Sequence, residues 1–220
     1  MEKQILLIDK PAGLTSFGVV ARVRKKITQE IGRKIKVGHA GTLDPFATGL
    51  LILLIGKATK KAEEFLKLDK VYEATIRLGA ISTTGDPEGE IQESKKLTNP
   101  PLRTKVEIVL KSFVDKIEQI PPSFSAIKIN GQRAYKLARR GEKIQMPTRK
   151  VQIYEIKILE YSYPILKISC HVSSGTYIRT LAEDIGKKLG VGAYTTQLRR
   201  LKIGDWTVKE AKTLEELEIK

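Results

Sequence analysis

Cysteine occurs once in these 220 residues, histidine twice and tryptophan once, while acidic side chains are outnumbered by basic ones, 25 to 40. Each scarcity removes a class of function. The single Cys170 cannot close an intramolecular disulfide, which fits a reducing compartment, and it cannot supply the thiolates of a zinc site. With only His39 and His171, a histidine-rich metal centre is excluded as well, so no metal is expected. No apolar run approaches the ~20 residues that a membrane-spanning helix needs. The longest, Leu50 to Ile55, has the length of a strand. Met1-Glu2-Lys3-Gln4 lacks the cationic start and apolar stretch of a secretory signal, so no membrane association and a cytoplasmic location are the expectations. No G-x-S-x-G elbow is present. The stretch from Gly49 to Thr59 fails as a phosphate loop, because its spacing is too long and Ala58 stands where Ser or Thr should follow Lys57.

What is abundant is positive charge. The formal net charge is +15, with 41% hydrophobic residues, which is the composition of a globular chain with a polyanion-seeking surface. A surface of balanced Lys–Glu ion pairs is the competing explanation, but it cannot absorb a surplus of this size. Nucleic acid is the partner that this charge favours.

Along the chain, Gln4 to Ile8 reads as a strand ending in the turn Asp9-Lys10-Pro11-Ala12-Gly13. Thr15 or Ser16 caps a helix with Val20, Val23, Ile27 and Ile31 at helical spacing, closed by Gly32. Short strands are expected at Lys34 to Val37 and Leu50 to Ile55, joined by the loop Gly38 to Gly49. From Val71 to Leu78 the pattern alternates, with Tyr72, Ala74, Ile76 and Leu78 on one face. Leu102, Val106, Val109, Leu110 and Phe113 mark an amphipathic helix after Pro100-Pro101. From Gln119 to Arg149 the chain becomes basic and turn-rich, with an Asn130-Gly131 hairpin signal and a cluster of Lys136, Arg139, Arg140 and Lys143. Strands at Val151 to Leu159 and Ile165 to Val172 follow. A helix opened by Ser173-Ser174-Gly175 comes next, and Thr213 with Glu216 resembles a capping box for a last short helix. No repeat or linker divides the chain. Strands and helices mix without regular alternation, so the expected class is α+β, built on a mixed, largely antiparallel sheet flanked by helices.

One loop lacks the polar padding of an ordinary surface loop. Gly38-His39-Ala40-Gly41-Thr42-Leu43-Asp44-Pro45 is rich in glycines, which let a backbone approach a ligand, and Pro45 fixes the chain just after a carboxylate. An Asp-Pro pair is also an ordinary turn initiator, and physics alone leaves both readings open.

Extended to Phe46-Ala47-Thr48-Gly49, this loop resembles the signature of TruB-family tRNA pseudouridine synthases. Further segments resemble family motifs, in order from residue 9 to residue 200. They are Asp9-Lys10-Pro11-Ala12-Gly13-Leu14-Thr15-Ser16; Lys70-Val71-Tyr72-Glu73-Ala74; and Thr84-Gly85-Asp86-Pro87-Glu88-Gly89. Two lie in the basic segment: Gln119-Ile120-Pro121-Pro122-Ser123-Phe124-Ser125-Ala126 and Gly131-Gln132-Arg133-Ala134-Tyr135. Ser174-Gly175-Thr176-Tyr177-Ile178-Arg179-Thr180-Leu181 and Gln197-Leu198-Arg199-Arg200 complete the set. Phe124 departs from the pattern, standing where a tyrosine is expected. The family's larger members continue into a C-terminal PUA domain, which this chain is expected to lack, leaving residues 1–220 as one catalytic domain with an RNA-gripping insertion at about 119–149.

The resemblance implies a pseudouridine synthase fold and a cofactor-free reaction, the isomerisation of uridine to pseudouridine at position 55 in the T-arm loop of tRNA. It implies Asp44 as the catalytic carboxylate, attacking uracil C6 or ribose C1′ or promoting loss of the C2′ proton. Arg179 is implied to keep that carboxylate ionised and oriented, against the plainer reading of a surface pair with Glu183. Tyr72 is implied to stack on the target base, although its position on an apolar strand face reads equally as core. His39 is implied to fill the space left by the flipped nucleotide. Tyr177 and Leu198 are expected to line the substrate. Lys10, Arg133, Lys136, Arg139, Arg140, Arg199 and Arg200 are expected to meet phosphates. A monomer without an obligate protein partner is expected. Two alternatives remain beside this reading: an RNA-remodelling module without catalysis, and a synthase directed by a guide RNA.

Overall fold

The computed structural model describes residues 5–94, 99–142 and 144–219. Lys143 of the basic cluster and the Gln4 start of the first expected strand lie outside them.

Strand β1 (Ile5–Lys10) leads into α1 (Ser16–Ile31). The helix begins where Thr15 accepts a hydrogen bond from the Gly18 amide, and it ends at Gly32, whose φ of 72° is the left-handed conformation that glycine adopts without a Cβ penalty. Strands β2 (Val37–His39) and β3 (Thr48–Ile55) bracket the glycine-rich loop. A 3₁₀ turn and α2 (Ala62–Lys67) precede β4 (Lys70–Leu78). In β4 buried and half-buried residues alternate, with Tyr72, Ala74, Ile76 and Leu78 inward as the period-two pattern requires. Then come β5 (Ala80–Ser82), β6 (Ile91–Glu93), α3 (Arg103–Lys111) and β7 (Asp115–Gln119). The basic segment holds β8 (Lys128–Ile129), β9 (Gln132–Arg133) and α4 (Ala134–Arg139). The chain finishes with β10 (Arg149–Ser162), β11 (Ile165–Val172), α5 (Ile178–Leu189), β12 (Ala193–Ile203) and β13 (Trp206–Thr207).

The chain forms two compact units, residues 1–72 with 198–220, and residues 73–197. In the first, β1 pairs antiparallel with β3, and β3 pairs parallel with the end of β12. Helix α1 packs Val19, Val20 and Val23 on one side, with Ile8, Leu51 and Leu53. Leu50, Ile52 and Leu54 form a second cluster with Ala40, Phe65 and Ile203. Because β3 is apolar on both faces, it reads in sequence as a continuous hydrophobic run, as a strand covered on both sides should. In the second unit the sheet order is β12–β4–β11–β10–β7. Gln119 and Arg149 are register partners at the open end of the antiparallel β7–β10 pair, so residues 120–148 make a closed excursion between neighbouring strands. The excursion has a small core of its own, Ile127, Ala134 and Met146 with Tyr177 packed against them. Its hairpin turns at Asn130 and Gly131, both with positive φ (48° and 82°), the geometry that makes Asn-Gly the preferred pair.

Two expectations are corrected. Thr213 and Glu216 do exchange the reciprocal bonds of a capping box, at 2.7 and 3.1 Å, but they close a turn rather than a helix. Leu102 precedes α3 as its N-cap and is 74% exposed instead of lying on the buried face.

Gly49 sits at the tightest crossing, between Lys10 of β1 and Arg200 of β12 in register. Its φ is +101°, and a Cβ there would overlap the Arg200 carbonyl and lie 2.8 Å from its amide nitrogen. Gly49→Ala is therefore expected to cost about 3 kcal/mol or more from strain and overpacking together. At roughly 2–4 °C per kcal/mol for a chain of this size, the melting temperature should fall by about 6–12 °C. A thermal melt within a degree or two of the unmodified protein would show that the crossing relaxes freely.

Candidate active site

The loop between β2 and β3 carries Asp44, half-buried, with its carbonyl accepting from the Ala47 amide 3.1 Å away. Three side chains from elsewhere in the first unit hold the loop backbone. Ser16, the first residue of α1, bonds the Leu43 main chain in both directions, accepting from its amide at 2.8 Å and donating to its carbonyl at 3.0 Å. Lys10 Nζ donates to the carbonyls of Pro11, Leu14 and Pro45 at 2.8, 2.7 and 3.2 Å. Arg200 donates from Nε to the Leu50 carbonyl and from its two terminal nitrogens to Thr42 and Gly41, at 2.8, 3.3 and 3.1 Å. The residues immediately before and after Asp44, and the one before those, are thus each fixed by a buried donor.

Two of the residues expected at phosphates lie inside the protein. Lys10 is 0% and Arg200 1% exposed, and both are committed to loop carbonyls. Burial of an unpaired cation is expensive, and dense carbonyl acceptors offset that expense only if the donors stay inside. In this structure both hold the loop backbone. Arg199, half-exposed, makes a bidentate pair with Asp9 at 3.0 and 2.6 Å. Leu198 is buried in the same unit, and His39 is half-buried at the end of β2, opposite Leu53 in register. Tyr72 is 8% exposed at the start of β4. Lys70, one face-position earlier, bonds the Leu66 carbonyl at 2.8 Å and that of Leu68; burial, then the nearby Arg200 charge, lowers its pKa to about 8.

In the second unit Arg179 lies in the first turn of α5 with its side chain 4% exposed. It is no surface partner of Glu183. Its guanidinium donates to Asp86 Oδ2 at 3.0 Å, to the Thr84 carbonyl at 2.8 Å and to the Phe124 carbonyl at 2.8 Å. Asp86 is itself buried, and its other oxygen accepts from the Thr84 hydroxyl and the Glu88 amide at 2.5 and 3.0 Å. The sequence reading missed Asp86 as a functional residue. The available signal was the buried-acid demand of a buried arginine, and the motif Thr84 to Gly89 was already conspicuous. The phenylalanine at 124 matters little to this network, since Arg179 takes its backbone oxygen. Glu183 stands beside them with its pKa raised by desolvation.

The insertion presents Arg133, Lys136, Arg139 and Arg140 to solvent. Arg139 lies 5.8 Å over the Tyr135 ring, Arg140 bonds Gln132 and Glu142, both at 2.8 Å, and Arg133 bonds the Ala126 carbonyl. Tyr177 caps α5, its main chain bonded at both polar atoms by the Gln119 side chain, 3.0 and 3.3 Å. Among the described residues, no three His, Cys, Asp or Glu side chains gather as a metal site would need, and no helix is long and apolar enough to cross a membrane.

Residues 24–178 match the family described as TruB family pseudouridylate synthase (N terminal domain), and residues 179–219 match the tRNA pseudouridylate synthase B C-terminal domain. Curated proteins called tRNA pseudouridine synthase B are similar over most of the chain. That of Phocaeicola vulgatus is 47% identical, with 97% of this chain and 91% of that protein covered. That of Cupriavidus taiwanensis is 45% identical, with 97% and 67% covered. Among solved structures, a Cbf5-Nop10-Gar1 complex superposes with a TM-score of 0.71 at 30% identity, and an H/ACA RNP bound to a substrate RNA containing 2′-deoxyuridine with 0.69 at 28%. Both cover 97% of this chain, which spans about half the length of theirs (53% and 51%).

Arg200→Lys tests the loop assignment. Lysine keeps the charge but cannot span three carbonyls with a planar fork. The expected outcome is a single-turnover rate at least about tenfold lower, roughly 1.4 kcal/mol of barrier, with RNA affinity within about twofold. An affinity loss with an unchanged rate would return Arg200 to the phosphate contacts.

Proposed function

The chain belongs to the TruB family of pseudouridylate synthases, and on that premise we propose how it turns uridine into pseudouridine in tRNA. It is an isomerase of tRNA. The substrate uridine is the one at position 55 of the T-arm loop, and the reaction runs in the cytoplasm on tRNA without an obligate protein partner or a guide RNA. The level of identity to tRNA pseudouridine synthase B, over nearly the whole chain, supports this over the guided alternative. The surplus of positive charge supports the polyanionic substrate.

Asp44 is the catalytic carboxylate. The observation that carries this is the loop itself: three buried side chains fix the main chain on both sides of one acidic residue. A fold does not spend two buried cations on an ordinary turn, and pre-organisation is what a reacting carboxylate needs. The reaction breaks the C1′–N1 bond, turns the uracil and rejoins it through C5. Every atom is conserved, and a single nucleophilic or basic carboxylate suffices to begin it. Because the target atoms are inaccessible in a stacked loop, the nucleotide is extruded first, at a cost of a few kcal/mol, roughly. Tyr72 stacks on the flipped uracil, and its hydroxyl is the group to take the C5 proton. His39 fills the vacated space. Arg179 acts with Asp44 and is held for that work by Asp86. Lys136, Arg139, Arg133 and Arg140 meet the T-arm phosphates, with Tyr177 and Leu198 lining the base.

Asp44→Asn is expected to abolish pseudouridine formation on an unmodified tRNA transcript while leaving tRNA affinity within about threefold, because binding rests on many phosphate contacts. Yield close to that of the unmodified enzyme would remove Asp44 from the chemistry. Arg179→Lys is expected to lose at least about tenfold in single-turnover rate with affinity retained, since a point charge does not replace the fork. Glu183→Ala, beside it, should leave that rate within about twofold. Equal rates for both variants would make Arg179 purely structural.

A further inference from the structure

The first turns of α1 hold a feature that the reaction above does not use. Phe17 is 65% exposed, against the rule that a large aromatic ring buries most of its surface. The Arg24 guanidinium, two helical turns later, reaches back over the ring to 5.9 Å from its centroid, the direction in which helical side chains lean. Both residues are exposed, and Lys25 beside them is too. No acidic residue stands between Asp9 and Glu30, and the first turn of α1 carries none. The partial positive charge of its helix N-terminus thus meets no carboxylate from the helix's own first turn.

The position of this ring relative to Asp44 is set by a bond already described. Ser16 and Leu43 are joined in both directions, and Phe17 and Asp44 are the residues that directly follow them. Standard backbone dimensions then keep the two Cα atoms within about 14 Å of each other. A base seated on the ring is therefore close in space to the reacting nucleotide.

We infer that Phe17, with Arg24 over its ring, is a stacking platform for an unpaired base of the RNA substrate close to the nucleotide that reacts. An exposed aromatic face beside an arginine is the surface on which splayed RNA bases stack, and stacking there offsets the unstacking that extrusion demands. An apolar protein partner is disfavoured by the ring's surroundings, which are cationic and carry no further exposed large hydrophobic residue of α1. This rests on the proposed reaction at the T-arm loop, and its test separates the two.

The test uses the full chain, an unmodified T-arm stem–loop RNA, and a series of that RNA with one loop nucleotide at a time made abasic. Affinity is measured by filter binding and turnover by single-turnover pseudouridine formation at saturating RNA. Phe17→Ala is expected to weaken RNA binding about tenfold, with the saturated rate within about twofold and the melting temperature unchanged within a degree, because the ring is mostly solvent-exposed. Phe17→Trp should restore the affinity. One abasic position should cost the unmodified protein about tenfold and cost Phe17→Ala almost nothing. Unchanged affinity in Phe17→Ala overturns the inference, as does a tenfold loss that is additive with every abasic position, or one that appears in the saturated rate instead. If the unmodified protein binds this RNA yet forms no pseudouridine, the T-arm reading fails, while the binding cycle still decides the platform.

Discussion

A guanidinium with almost no exposed surface must find acceptors for its donors inside the protein, or its burial is unaffordable. Arg200 finds three, the carbonyls of Gly41, Thr42 and Leu50, and they can all face it only if the chain from 41 to 50 folds back around the arginine. The parallel pairing of Arg200 with Gly49 puts the arginine backbone against the loop's exit, where only a glycine fits. On the other side of Gly49 stands Lys10, in register and equally buried, holding Pro45. The conformation around Asp44 is thus held in part by two buried cations that donate to its flanking carbonyls. Breaking one of these interactions would leave both a buried charge and unsatisfied carbonyls, which makes the arrangement all-or-none.

The second unit repeats the device with a different outcome. Arg179 is buried at the start of α5, but one of its acceptors is a carboxylate, Asp86, and that acid is in turn held by Thr84 and the Glu88 amide. The backbone oxygen of Phe124 is another acceptor, so the base of the basic insertion is tied to the same arginine. Meanwhile Arg133, Lys136, Arg139 and Arg140 of the insertion are left to solvent, with Arg140 alone of the four shown paired to a carboxylate, Glu142. Buried cations organise backbone, and exposed ones remain available to a polyanion. The same residue type does both jobs, and exposure tells them apart.

Local signals determined a good deal of this protein. The Thr15 cap, the Gly32 stop, the alternation of β4, the Asn130-Gly131 turn and the unbroken apolar β3 are each written within a few neighbouring residues, because hydrogen bonds of caps and turns and the pleat of a strand are short-range. The α+β class and the family followed from them and from the ordered motifs. What the sequence could not reveal was which lysines and arginines lie inside. In sequence Lys10 and Arg200 look like the exposed Lys136 and Arg139, since charge and residue type are identical and carbonyls from other segments help to make burial tolerable. Asp86 stayed hidden for the same reason, its role existing only once Arg179, 93 positions away, is folded against it. Thr213 shows the reverse case, where the local bonds of a capping box formed and the helix did not, because a cap stabilises a helix but does not by itself supply the turns that follow. Elements were legible locally; the fate of each charge was decided by tertiary structure.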